Sequence, residues 1–82
     1  MQVDDVIRGI ARHSGKSGRV LSAELGHAPT WVSSVGARGR DPQLSSVVRV
    51  ADLSGVDVCL VDRATGETIA TIDPPEHQEP SH

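Results

Sequence analysis

The sequence predicts a mainly α-helical chain of four helices followed by a C-terminal β-hairpin and a disordered tail. Three observations carry this reading. Residues 21–35, LSAELGHAPTWVSSV, read as two short helices joined by a tight turn at Gly26-His27. Asp41-Pro42 pairs an N-cap residue with a proline suited to the first helical position, and an apolar stripe follows it. After Gly55 the apolar period shortens from that of a helix to that of a strand.

The elements follow in order. Val3, Val6, Ile7 and Ile10 repeat at i, i+3, i+4 and i+7, which predicts a first helix over about residues 3–13. Asp4 and Asp5 complement its positive end, Arg12 and His13 its negative end, and Ser14-Gly15 stops it. Ser17 is placed to cap a second helix that runs to about Leu25. A third helix is predicted over residues 28–37, with Pro29 in its first turn and Ala28, Val32 and Val35 on its buried face. Its outward face is Thr30, Ser33, Ser34 and Ala37, small and free of charge, which suits close approach to another macromolecule. The fourth helix starts at Asp41-Pro42 and ends near Ser54, with Leu44, Val47, Val48 and Ala51 buried and Gly55 as its stop.

DVCLVD and ETIATI then flank Arg63-Ala64-Thr65-Gly66 and predict a hairpin over residues 57–72. Val58 and Leu60 share one face of the first strand; Ala70 and Ile72 share a face of the second, opposite Ile69 and Thr71. Residues 73–82, DPPEHQEPSH, contain three prolines and no apolar anchor, and read as a disordered acidic tail. The organisation is therefore a helical domain (1–56), a hairpin (57–72) and a tail (73–82).

Eighty-two residues without Phe or Tyr allow one small core of aliphatic side chains, so an oligomer interface is an expected supplement. The single cysteine, Cys59, excludes an intramolecular disulfide framework and fits a reducing compartment. No apolar run approaches the ~18 residues of a membrane span, and MQVDDVIRGI has acids where a secretion signal needs basic residues. A cytoplasmic location is the expectation. The net charge of −3 is unevenly spread. Residues 8–49 carry seven basic side chains (Arg8, Arg12, Lys16, Arg19, Arg38, Arg40, Arg49) against Glu24 and Asp41, whereas residues 50–82 carry Arg63 against seven acids. Such a division suggests one end that faces phosphate and one that avoids it.

Leu21-Ser22, Leu25-Gly26, Val32, Val35, Pro42-Gln43-Leu44, Val47, Val48, Val50-Ala51 and Gly55 together resemble the lambda-repressor-like (Xre) helix-turn-helix family over about residues 3–58. The spacing from the Leu-Gly turn to the proline-initiated fourth helix matches without a gap. Several positions depart from the family pattern: Gly18 stands where a backbone-contacting Gln is frequent, Ser22 where Ala is usual, and Gly36 where an acid closes the recognition helix. Gly39 arrives one place late, and the hairpin replaces a fifth helix.

The resemblance implies double-stranded DNA as partner, with Pro29, Thr30 and Ser34 at the positions that reach base edges. Thr30 can offer a hydroxyl or a methyl and Ser34 a hydroxyl, but this face has no Asn, Gln or Arg for bidentate reading. Arg19, Trp31, Ser33, Arg38, Arg40 and Gln43 are the expected phosphate-backbone contacts. Trp31, as the only large aromatic residue, also suits the core. The reading that follows is a homodimeric repressor whose hairpin residues Val58, Leu60, Ile69 and Ile72 form the dimer interface. The alternative is an antitoxin-like module that binds a partner protein through the hairpin or tail. Gly15-Lys16-Ser17 ends like a phosphate-binding loop, but Ile10 stands where its first glycine belongs and a helix precedes it. His13, His27, His77 and His82 lack metal-ligand spacing, so neither a metal nor a cofactor is expected, and no catalytic constellation is identifiable.

Overall fold

In the computed structural model, which describes residues 1–74, a 3-10 turn at Val3–Asp5 leads into α1 (Val6–Ser14). Three further helices follow, α2 (Gly18–Glu24), α3 (Trp31–Val35) and α4 (Leu44–Leu53), and then an antiparallel hairpin of β1 (Cys59–Val61) and β2 (Thr68–Thr71). No helix among the described residues is long and apolar enough to cross a membrane.

Local chemistry sets most of the boundaries. Ser17 Oγ accepts the Val20 N–H at 3.1 Å and caps α2, as its position predicts. At the other end of α2, Gly26 takes φ +78°, which lets Gly26 N–H reach the Ala23 carbonyl and His27 N–H the Ser22 carbonyl. That pair of bonds is a Schellman stop, and it makes the sharp turn into α3. The end of α4 repeats the arrangement, with Gly55 bonded to Asp52 and Val56 to Ala51.

Each helix supplies the core. Ile7 comes from α1, Leu21 from α2, Val32 from α3, and Val47 and Val50 from α4; all five are buried in one cluster. Val6, Ile10, Ala11, Leu25, Trp31, Val35, Leu53 and Val58 pack around it half-buried.

Three helices begin later than the sequence predicts: α1 at Val6 after the 3-10 turn, and α3 and α4 further along. α3 starts at Trp31 and not at residue 28, because Trp31 N–H bonds the Ala28 carbonyl at 2.9 Å and closes a tight turn ahead of the helix. Ala28, expected on the buried face, is exposed in that turn, as are Pro29 and Thr30. The helix ends at Val35, not 37, and Gly36 is buried against α1. A Cβ at Gly36 would stand 3.1 Å from the Val32 carbonyl and 3.2 Å from the Ile7 side chain, so a larger residue would crowd this contact. α4 starts at Leu44; Asp41 and Pro42 lie in the preceding loop, and extended Gln43 occupies the cap position without a side-chain bond. Leu44 is consequently 56 % exposed at the helix end, while Val50, between the predicted stripe positions, is fully buried.

In the hairpin, Leu60 pairs with Ala70 and Cys59 with Thr71, so the face predicted for Val58 and Leu60 on the first strand and that for Ala70 and Ile72 on the second are one face of the sheet. Asp62 Oδ1 accepts the Ala64 N–H at 2.8 Å, and Gly66 N–H bonds the Asp62 carbonyl at 2.7 Å, closing the predicted four-residue connection. Every strand residue is exposed. The proposed interface set therefore divides: Leu60 and Ile69 are open, whereas Val58 packs on the chain's own core and Ile72 is half-buried. Pro74 is buried in a cleft with Val48, Val56, Val58 and Ile72. Asp73 ahead of it is exposed, and the rest of the segment assigned to the tail, residues 75–82, lies outside the described residues.

Leu21→Ala is expected to cost about 2–5 kcal/mol in urea unfolding, the range for truncating a fully buried leucine. Leu44→Ala should change stability by no more than about 0.5 kcal/mol. Equal losses at the two positions would refute the observed start of α4. Acid sensitivity offers a second check. The Arg8 side chain, bonded to Asp5, holds that half-exposed carboxyl below its usual 3.8, with a smaller contribution from Arg38. A lowered folded-state pKa adds stability above pH 3.8 that is lost as pH falls through the folded value. Asp5→Asn should therefore flatten the decline of melting temperature below that pH; an unchanged acid limb would exclude the Arg8–Asp5 contact as its source.

Candidate nucleic-acid interface

A five-residue helix has no stability of its own, so α3 needs outside partners for its first N–H groups. Ser22 on α2 provides one. Its buried hydroxyl accepts the Val32 N–H at 3.0 Å while donating to the Gly18 carbonyl at 2.7 Å. Gly18 brings the same two helices close: a Cβ there would meet the Val32 side chain at 3.3 Å. The His27 ring from the turn stacks on Trp31, with centroids 4.2 Å apart and planes 6° from parallel. Trp31 is half-buried against the core, which bears out its reading as a packing residue.

This anchoring leaves a small exposed surface. Pro29, Thr30, Ser33 and Ser34 are all exposed and none is charged. Ser33 Oγ donates back to the Thr30 carbonyl at 3.0 Å, tying the turn to the helix. The structure thus brings Pro29, Thr30 and Ser34 together at the outer side of α3, although only Ser34 lies within the helix.

The loop after α3 is held from α1. Arg8 donates to the Gly36 carbonyl and to Asp5, and Asp4 accepts the Gly39 N–H at 2.7 Å. Arg38 and Arg40, on either side of Gly39, are exposed. Trp31, Arg40 and Gln43 line one cleft with Val35, Pro42 and Ser46, which joins three of the predicted backbone contacts. Arg38 lies towards Asp5, and Arg19 sits in the first turn of α2 outside that cleft.

The basic block is not uniformly accessible. Arg8 pairs with Asp5, Lys16 pairs with Glu24 at 3.0 Å, and Arg49 is half-buried. Arg12, Arg19, Arg38 and Arg40 remain exposed. Sequence reasoning missed the roles of Asp4, Arg8 and Ser22, because all three act across 10 to 35 residues of chain. The one signal in the sequence was the polar Ser22 in an apolar helix face. Among the described residues no group of three His, Cys, Asp or Glu side chains could hold a metal ion. No protein-family model, no curated protein and no solved structure matches the chain.

Ser22→Ala would strand the Val32 N–H in the interior, and a loss of about 1–3 kcal/mol in chemical denaturation is expected. Ser33→Ala, at an exposed site, should stay within about 0.5 kcal/mol. If Ser22→Ala proved as silent as Ser33→Ala, the α2–α3 bond would contribute nothing to the fold.

Proposed function

We propose that the chain is a sequence-specific DNA-binding transcriptional regulator of the lambda-repressor-like helix-turn-helix type, a homodimeric repressor presenting residues 28–37 to the major groove. The observation that carries this reading is the uncharged exposed surface of Thr30, ahead of α3, and Ser34, within it, on a helix anchored through Ser22 and followed by a loop with exposed Arg38 and Arg40. An uncharged face can enter a groove without repelling or merely clamping phosphate. The adjacent guanidinium groups supply the sequence-independent attraction.

Thr30 offers a hydroxyl or methyl and Ser34 a hydroxyl to base edges, with Pro29 shaping the approach. None of these reads a base bidentately, so specificity draws on these single contacts and on DNA deformability. Arg19, Ser33, Gln43 and the indole N–H of Trp31 serve the phosphate backbone. Two recognition helices one DNA turn apart, ~34 Å, would read a palindromic operator. The second reading is an antitoxin-like module that binds a partner protein through the hairpin. It is favoured by the exposure of Leu60, Val61 and Ile69. A second copy of the chain accounts for the same surface within the DNA-binding reading.

Random-site selection followed by binding titrations tests the proposal. Thr30→Glu combined with Ser34→Glu should abolish binding to the selected site while the helical circular dichroism persists. Arg38→Ala with Arg40→Ala should weaken binding to all sequences and reduce the salt slope by about 0.9 for each phosphate no longer neutralised. Undiminished affinity in the double-glutamate variant would overturn the assignment of the recognition face. Loss of preference at a single base pair in the arginine variant would move those arginines from phosphate to base.

A further inference from the structure

The two strands of the hairpin differ as edges. Leu60 pairs with Ala70 and Val61 with Thr68, so Ile69 is an extra residue on β2. Such a bulge twists its strand and blunts it for further pairing. β1 carries no extra residue. The Ile72 N–H bonds the Val58 carbonyl and the Asp62 N–H bonds the Glu67 carbonyl, each at 2.9 Å, so residues 58 and 62 direct their polar groups towards β2. Alternation then turns those of Cys59 and Val61 outward along the free side of β1. Among the described residues the sheet has two strands, and Leu60 and Val61 are 54 % and 55 % exposed.

We propose that β1 is a pairing edge for a second copy of this chain. The two β1 strands run antiparallel about a two-fold axis at Leu60, giving a four-stranded sheet with β2 at each rim. Charge complementarity selects the register. Outward-pointing residues pair with one another, which allows axes at Cys59, Leu60 or Val61. Continued beyond the three residues of β1, the Leu60 axis alone brings Asp57, two residues before the strand, towards the partner's Arg63 in the turn after it, and the symmetry repeats that pair. It also pairs the whole strand, with Cys59 opposite the partner's Val61 and the two Leu60 side chains in contact. An axis at Cys59 would leave Asp57 against the partner's Val61. One at Val61 would leave Asp57 against the partner's Thr65 and Arg63 against the partner's Cys59. Asp57 and Arg63 are both exposed, as this pairing requires.

This interface gives the proposed homodimer its geometry, and its tests use full-length protein without DNA. Under mild oxidation, C59S/L60C should form a disulfide-linked dimer, because facing residues on an axis of this kind lie about 4.5–5.5 Å apart. The wild-type Cys59 pair, displaced along the strands beyond the roughly 7 Å limit for bridging, should remain unlinked, as should C59S/I69C on the bulged edge. In sedimentation, D57R and R63D should each raise the dimer dissociation constant roughly five- to thirty-fold, since either change breaks two symmetric pairs. D57R/R63D together should restore it. Linkage through wild-type Cys59 or through C59S/I69C would overturn the register or the edge, and failure of the double reversal to restore dimers would overturn the charge pairing. A monomer at tens of micromolar would overturn the interface altogether. Loss of the dimer alongside DNA binding that still depends on Thr30 and Ser34 overturns only this interface. A dimer that meets every linkage test yet binds no DNA overturns only the regulator reading.

Discussion

The hydroxyl of Ser22 is the contact on which the helical unit turns. It is fully buried, donates within its own helix to Gly18 and accepts the Val32 N–H from the next one. A buried hydroxyl that both donates and accepts has its desolvation offset, and it satisfies a donor that a helix start leaves unpaired. Its geometric effect is larger than its energy. α3 has five residues and cannot persist by itself, so its orientation is inherited from α2 through this bond, the Schellman turn at Gly26 and the contact of Gly18 with Val32. The outer face of α3, built from small side chains, is consequently held in a set orientation to α2.

A second fixture works from the opposite side. Asp4, Asp5 and Arg8 lie in one turn of chain at the start of α1, and they reach Gly36 and Gly39 at the far end of α3. Arg8 is committed there, satisfying a carbonyl at a helix terminus and a carboxylate at once. The loop after α3 is thereby tied at Gly36, through Arg8, and at Gly39, through Asp4, with Arg38 between the two ties and Arg40 directly after the second. In the proposed complex this pre-ordering matters. Arginines on a fixed loop lose less freedom when they meet phosphate than arginines on a loose one.

The order of elements was legible because it depends on neighbours in sequence. Ser17 and Gly26 act within four residues of themselves, and the stripe Val47, Val48, Ala51 is a local period. The misplaced boundaries lie where competing local signals met tertiary packing. Asp41-Pro42 carries a helix-start signature, yet the chain needs those residues to travel from α3 to α4, and the helix begins only at Leu44. Pro29 could begin a helix, but Trp31 packs beside His27 and the core, and a tight turn precedes it instead. The site residues divide the same way. The exposure of Thr30 and Ser34 followed from helical spacing; the contacts that hold their helix, from Ser22, Arg8 and Asp4, are long-range and left only the polarity of Ser22 as a trace.

Charge connects the two ends of the molecule. Two of the seven basic residues in the helical block are neutralised within it, by Asp5 and Glu24, and the exposed remainder includes Arg19, Arg38 and Arg40. The hairpin carries Asp57, Asp62 and Glu67 against Arg63, an excess of acid on a surface whose apolar side chains are also open. That combination disfavours phosphate and favours a partner with its own positive charge at a matching distance along the strand. A second copy meets this condition because Asp57 and Arg63 lie three residues on either side of Leu60, so a two-fold axis there exchanges them. A net charge of −3 is then no obstacle to the proposed role, since Arg38 and Arg40 are exposed in the loop that follows α3 and screening over about 10 Å mutes distant acids.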